Sequence, residues 1–278
     1  MAGWFRRVAD ADRTVAPDPA SRPKAWLDEE EDRLIPPRNL WVGRGDSISH
    51  YYRWVWEYLA YLTLLTGLQR EQAVLELGCS HGRTARGLLS YLRSPGRYVG
   101  LDVHGPSIED ARARIEARYP NFHFVQADVR NRHYNPEGRT SADCYSFPLP
   151  DASFDVVYAA SLFTHLLPCE TRRYFLESAR VLKPGGHALF SVFLLDCYRG
   201  PGTTTSPFYQ FEHPLEGCEG VAVRDPDFPD NAVAYRSDVL ASCANEAGLD
   251  VVRVLPGLWT ESPGFAVNEQ DLVLLRRR

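Results

Sequence analysis

The stretch V-L-E-L-G-C-S-H-G-R, from Val74 to Arg83, decides how the rest of the chain is read. V-L-E-L alternates apolar and acidic residues, Gly78 breaks the extension, and T-A-R-G-L-L-S-Y-L (84–92) has helical spacing. A buried strand, a tight turn and a helix start form the βα unit from which nucleotide-binding α/β sheets are built. Gly78 and Gly82 allow the turn to fold tightly and a ligand to approach the backbone. The helix opening near Arg83 directs unpaired N–H groups outward, a setting that favours a carboxylate or phosphate.

Outward from this turn, strand and helix patterns alternate. A helix over about 84–92 leads to a strand at 98–101 ending in Asp102, and a helix over 108–118 leads to a strand at 122–125 ending near Asp128. A strand at 154–159, a helix over 171–182, the turn K-P-G-G and a strand over 187–194 follow. A helix over 237–247 and a hairpin-like edge at 251–255 and 271–275 complete the series. Such alternation predicts an α/β fold with a doubly wound, mostly parallel sheet. Ligands then lie beyond the carboxyl ends of the strands, where Gly78, Asp102, Asp128 and Ala160 fall.

Two segments stand apart. Residues 1–46 are rich in Asp, Arg and Pro and predict an N-terminal arm, with Trp4, Trp26 and Trp41 as its oddity and Asp46 or Ser47 as a cap for the next helix. The domain proper is expected over 47–278. Its first helix, about 48–66, carries Tyr51, Tyr52, Trp54, Trp56, Tyr58 and Tyr61 and is expected to pack on the sheet, with a ligand cage as the alternative. Residues 196–234 mix Gly, Pro and aromatics over a span too long for an ordinary connection, which predicts a mobile cap over an acceptor site.

Composition sets the outer bounds. The 278 residues are 44% hydrophobic with a net charge of −5, enough for one full core and no footprint for nucleic acid. Six scattered cysteines without C-x-x-C spacing read as free thiols of a reducing compartment. No apolar run approaches membrane-spanning length and the N-terminus lacks a signal-like apolar region, so a soluble cytoplasmic protein without membrane partners is expected. Oligomeric state is not legible.

A dinucleotide-binding turn wants G-x-G-x-x-G, and Ser80 and Arg83 occupy its second and third glycine positions. A nucleophile elbow wants G-x-S-x-G, which residues 78–82 match; on paper Asp196 and His213 complete a hydrolase triad, but several strands should precede such an elbow. The third reading is a resemblance. E-L-G-C-S-H-G-R, V-G-L-D (99–102), F-V-Q-A-D-V (124–129), F-P-L-P-D-A-S-F-D-V-V-Y-A-A-S-L-F-T-H-L (147–166) and R-V-L-K-P-G-G-H (180–187) occur in the order of the class I S-adenosylmethionine-dependent methyltransferases. Ser80 stands where that family's first motif has its middle glycine. The Y-N-P-E-G loop (134–138) and F-T-H-L-L-P resemble a bacterial subgroup acting on glycans or other small molecules.

The resemblance implies a seven-stranded Rossmann-like sheet, S-adenosylmethionine as cofactor, S-adenosylhomocysteine as product and a small-molecule acceptor. It places the cofactor on Glu76, Gly78, Cys79, Ser80 and Gly82, on Asp102 and Val103 at the ribose, on Asp128 and Val129 at the adenine, and on Ala160. Asp143 rivals Asp128 for the adenine, and Glu76 either holds the methionine ammonium group or ties the glycine turn. Oxygen methylation of a sugar or natural product needs a base, for which His165 and, in the cap, His213 are candidates. His81, His104 and His133 are assigned to cofactor-side loops. Nitrogen or carbon methylation and a non-catalytic cofactor-binding module are the alternatives, and no metal-ligand spacing is present.

Overall fold

The computed structural model describes residues 34–37, 48–200, 202–204, 206, 208–260, 266 and 268–278. The expected N-terminal arm, with its three tryptophans and its helix cap at Asp46 or Ser47, lies outside them apart from 34–37. The unit Pro36–Arg278 holds a seven-stranded sheet. Its strands are β1 (Ala73–Leu77), β2 (Arg97–Asp102), β3 (Phe122–Gln126), β4 (Phe154–Ala159), β5 (Leu182–Val192), β9 (Leu249–Leu255) and β10 (Asp271–Arg277). The order is β3-β2-β1-β4-β5-β10-β9; only β10 runs antiparallel to its neighbours. Strand order reverses between β1 and β4, the point where an open α/β sheet leaves a crevice at its carboxyl edge.

All five residues of β1 are buried, as a central parallel strand covered on both faces requires. Helix α1 (Ile48–Leu65) buries Tyr51, Val55, Tyr58, Tyr61 and Leu62, an i, i+4, i+7 face laid on the sheet. The remaining helices are α2 (Ala85–Leu89), α3 (Gly105–Ala111), α4 (Pro168–Val181) and α5 (Ser237–Glu246). Helix α4 starts three residues before its expected start because Pro168 fixes its first turn and the Glu170 carboxylate accepts the Leu167 N–H at 2.7 Å. Phe163 and Phe175 close on Phe190 with ring centroids 4.3 and 5.4 Å away, joining α4 to β5.

Two local expectations fail. The helix predicted over 84–92 is regular only over Ala85–Leu89. K-P-G-G does not end an element: β5 begins at Leu182 opposite Phe154, and Val156 next faces His187, so residues 183–186 bulge out of the ladder. Gly185, at φ +78°, makes that bulge possible.

The segment expected as a cap carries regular structure. Strands β6 (His213–Pro214), β7 (Val221–Val223) and β8 (Val233–Tyr235) form a second, antiparallel sheet. Val233 N–H donates to the Thr164 carbonyl at 2.8 Å and Tyr235 N–H to that of Phe193 at 2.9 Å. Val221, Val223, Val233 and Tyr235 belong to the same buried cluster as β4 and β5. Each such valine contributes about 1.5–3 kcal/mol by burial. Ala222, Ala232 and Ala234, on the other face, join Phe193, Phe211 and Trp259 in a separate cluster.

Candidate functional site

The turn after β1 has left-handed backbone at alternate residues, Gly78 (φ +75°), Ser80 (φ +48°) and Gly82 (φ +77°). Gly78 and Cys79 N–H both donate to the Leu101 carbonyl, at 2.8 and 3.1 Å, which pins the turn to the end of β2. Gly100 makes room for this: a Cβ there would lie 2.6 Å from the Cys79 sulfur. Ser80 pays for a conformation that costs a side-chain-bearing residue roughly 1–2 kcal/mol, and its N–H donates to Asp102 Oδ2 at 2.7 Å in return. His104 N–H donates to the other oxygen at 2.8 Å. The carboxylate of Asp102 is therefore oriented by one donor on each oxygen, with lone pairs left for a ligand. Burial pushes its pKa above the ordinary carboxylate value, against the pull of the two backbone donors.

A cavity of about 860 Å³ opens at this edge. Glu76, Gly78, Cys79, Ser80, Asp102 and Val103 form one wall, and Val129, Ala160 and His165 extend it. Four candidates are not brought there. Gly82 faces the packing between helix and sheet, where a Cβ would sit 2.9 Å from Ile115 Cδ1 and 3.1 Å from the Phe124 ring, so its glycine is required by packing. Asp128 does not border the cavity; its carboxylate is taken by Arg139, whose Nε donates at 2.6 Å and whose backbone N–H donates at 3.1 Å. Its rival Asp143 is also exposed outside the cavity, and Ala142 lines the wall beside Val129. His213 lies on the exposed two-residue strand β6, away from the cavity wall, which removes it from the set of groups facing a ligand.

Glu76 is a buried hub. Thr84 Oγ1 donates to one carboxylate oxygen, and the Tyr98 and Tyr158 hydroxyls donate to the other at 2.5 and 2.7 Å. Burial raises its pKa and the hydroxyls partly offset the rise. This arrangement ties β1, β2, β4 and the residue preceding α2 together behind the glycine turn.

His165 sits past β4 with its ring in the open cavity. Its Nδ1 lies 3.1 Å from the Asp230 carbonyl oxygen. A carbonyl only accepts, so Nδ1 carries the proton and neutral His165 offers a lone pair at Nε2. The surrounding walls push its pKa below the ordinary histidine value, while the Asp230 carbonyl pulls it up.

Several cavity residues carried no local signal in the sequence. Gln270, just before β10, donates through Nε2 to Ser161 Oγ at 2.8 Å and borders the cavity beside Glu269. Phe193 supplies an aromatic side, joined by Phe208, Tyr209 and Asp230 to Ala232 from the segment expected to cover an acceptor site. Helix α1 packs on the sheet as expected, and beside its buried face His50 and Trp54, the latter stacked on Tyr58, border the cavity. The Arg83 guanidinium lies 4.4 Å from the centre of the Trp54 ring.

The elbow reading loses its partners in this geometry. Ser80 Oγ is buried without a hydrogen-bond partner, and the turn follows the first strand of the sheet. Among the described residues no group of three His, Cys, Asp or Glu side chains could hold a metal ion, and no helix is long and apolar enough to cross a membrane.

Residues 74–186 match the family model described as a methyltransferase domain. A fatty-acid O-methyltransferase of Mycolicibacterium smegmatis is 30% identical over 162 residues, 58% of this chain and 49% of its own length. A phthiotriol/phenolphthiotriol dimycocerosates methyltransferase of Mycobacterium tuberculosis is 32% identical, covering 58% of this chain and 50% of its own. The chain thus spans about half the length of these curated relatives. Among solved structures, an S-adenosylmethionine-dependent methyltransferase from Mesorhizobium loti superposes with a TM-score of 0.52 at 18% identity, over 78% of this chain and 97% of its own. One from Clostridium acetobutylicum gives 0.52 at 13% identity, over 81% and 92%. At these identities the superpositions speak for the fold.

Proposed function

We propose that the chain, whose residues 74–186 match a methyltransferase-domain model, is a class I S-adenosylmethionine-dependent enzyme that methylates an oxygen of a small acceptor with an apolar body. The observation that carries this is the oriented Asp102 carboxylate at the switch point, facing the same cavity as the His165 ring. The residues suit the cofactor. Asp102 has acceptor capacity for two ribose hydroxyls, and Val103, Val129 and Ala142 offer apolar surface for a purine. The volume of about 860 Å³ is at the upper end of the range for ligand sites and accommodates a second molecule.

The cofactor supplies an activated methyl group, so the protein's part is to align the acceptor, exclude water and remove a proton. Phe193, Phe208 and Tyr209 suit an apolar acceptor body, and His165 Nε2 is positioned to accept a hydroxyl proton. The names of the two mycobacterial relatives point the same way, toward a lipid-like acceptor. A hydroxylated natural product with an apolar body falls within the same acceptor class.

Calorimetry with S-adenosylhomocysteine tests the cofactor half: one-site binding is expected, weakened by about 1.5–3 kcal/mol in Asp102→Ala through loss of charge-assisted hydrogen bonds. Absence of wild-type binding would sink the proposal. Intact-mass screening of acceptor pools with labelled cofactor identifies the acceptor. With that acceptor, His165→Ala should lower kcat by about 10²–10⁴-fold at unchanged cofactor affinity. Undiminished turnover would point instead to a nitrogen or carbon acceptor, or to one already deprotonated.

A further inference from the structure

We propose that Arg83 is a carboxylate-binding residue: its guanidinium, laid on the Trp54 indole in the cavity wall, receives an anionic group that a ligand carries in. The geometry leaves it available. The guanidinium carbon lies 4.4 Å from the Trp54 ring centre, and among the described residues no carboxylate pairs with it and no acceptor takes its N–H groups. Two other partly buried arginines, Arg173 and Arg180, both pair with Glu177, at 3.3 and 2.7 Å. Glu76 does not fill the role: its oxygens receive the Thr84, Tyr98 and Tyr158 hydroxyls, and among the described residues no ion pair joins it to Arg83.

Stacking on an aromatic face fixes a guanidinium in plane and leaves its edge donors free, the geometry that binds a carboxylate through two parallel hydrogen bonds. The surroundings desolvate Arg83, which lowers its pKa and raises the return on gaining an anion. Helix α2, five residues long, is too short to provide an anion site of its own. The Arg86 and Gly87 N–H groups at its start are already bonded to the Gly82 and Thr84 carbonyls, at 3.2 and 3.1 Å. The carboxylate comes either from the amino-acid end of the cofactor or from an acidic acceptor with an apolar tail. The first source rests on the cofactor assignment made above.

The test compares S-adenosylhomocysteine with its decarboxylated analogue and with 5′-methylthioadenosine by calorimetry, in wild type and Arg83→Met, which keeps the stem packed on Trp54. A parallel arm titrates decanoate and decanol into protein saturated with 5′-methylthioadenosine. For the cofactor source, wild type prefers S-adenosylhomocysteine over the decarboxylated analogue by about 10- to 100-fold, and Arg83→Met erases that preference alone. For the acceptor source, the cofactor preference survives in Arg83→Met while wild-type binding of decanoate, and not decanol, is lost. Arg83→Lys should restore part of either effect, since it keeps the charge without the fork. The wild-type comparison needs no variant to fold. If wild type binds the nucleosides without preference for a carboxylate and ignores decanoate, or if Arg83→Met changes neither, Arg83 is only a packing residue. If wild type binds no nucleoside at all, the cofactor assignment falls, and the cofactor source for Arg83 with it.

Discussion

Replacing Glu76 by alanine should cost the fold about 2–5 kcal/mol, most of it through the groups left behind. The Tyr98 hydroxyl, at 2.5 Å from the carboxylate, is fully buried and would lose its partner outright, a penalty of about 1–3 kcal/mol. The Tyr158 hydroxyl is better placed, because Thr84 Oγ1 lies 3.1 Å away and remains as a partner. The truncated side chain leaves a void beneath the glycine turn, adding about 1–2 kcal/mol. Glu76→Gln keeps volume and one acceptor oxygen and should cost only about 1–2 kcal/mol. The pH dependence separates charge from shape. Burial raises the folded-state pKa of Glu76 above its ordinary 4.5, so the folded chain holds that proton more tightly than the unfolded one. Its contribution is then fully present below about 4.5 and is lost as pH rises through the raised value. Urea denaturation of both proteins between pH 4 and 7 should show wild type losing stability relative to Glu76→Gln as pH rises. A Glu76→Ala protein within 1 kcal/mol of wild type, or a difference that grows in the opposite direction, would refute the hub.

Gly82→Ala adds a Cβ 2.9 Å from Ile115 Cδ1 at a φ of +77° and should destabilise by about 2–4 kcal/mol; because Gly82 does not border the cavity, the folded fraction should bind S-adenosylhomocysteine almost normally. Asp271 accepts the Leu194 and Gly257 N–H groups at 2.8 and 2.7 Å and the Trp259 indole N–H at 2.6 Å. Asp271→Ala should therefore cost about 3–5 kcal/mol in denaturant titrations, and a smaller loss than 1 kcal/mol would mean these donors find water. The depressed pKa of His165 should place the acidic limb of the kcat profile below the ordinary histidine value of 6.5, and His165→Ala should abolish that limb.

Legibility in the sequence followed the range of the interactions concerned. The alternating strands, the turn at 78–82 and the position of Asp102 depend on local periodicity and on glycine, and they stand where the pattern placed them. K-P-G-G has the composition of a turn, yet the pairing of Leu182 with Phe154 continues the strand past it; only the partner strand decides between a turn and a bulge. Asp128 falls two residues past the end of β3 rather than ending it, and Arg139, eleven residues on, claims its carboxylate. Gln270 and Glu269 reach the cavity because β10 inserts beside β5, a tertiary event with no local mark. The cap looked loose because its strands are two or three residues long and separated by Gly and Pro; their apolar V-A-V and V-A-Y alternation becomes informative once a core exists to receive it.

The bond from His165 Nδ1 to the Asp230 carbonyl has a consequence for redesign. The backbone that borders the acceptor also dictates which imidazole nitrogen is free, and Val233 holds the adjoining Thr164 carbonyl at 2.8 Å. Swapping in a foreign segment to admit another acceptor would thus alter the proton inventory of His165, the proposed base, at the same stroke. Under the proposed function, acceptor choice and base chemistry form one module, and a graft succeeds only if it returns a carbonyl to the place of Asp230.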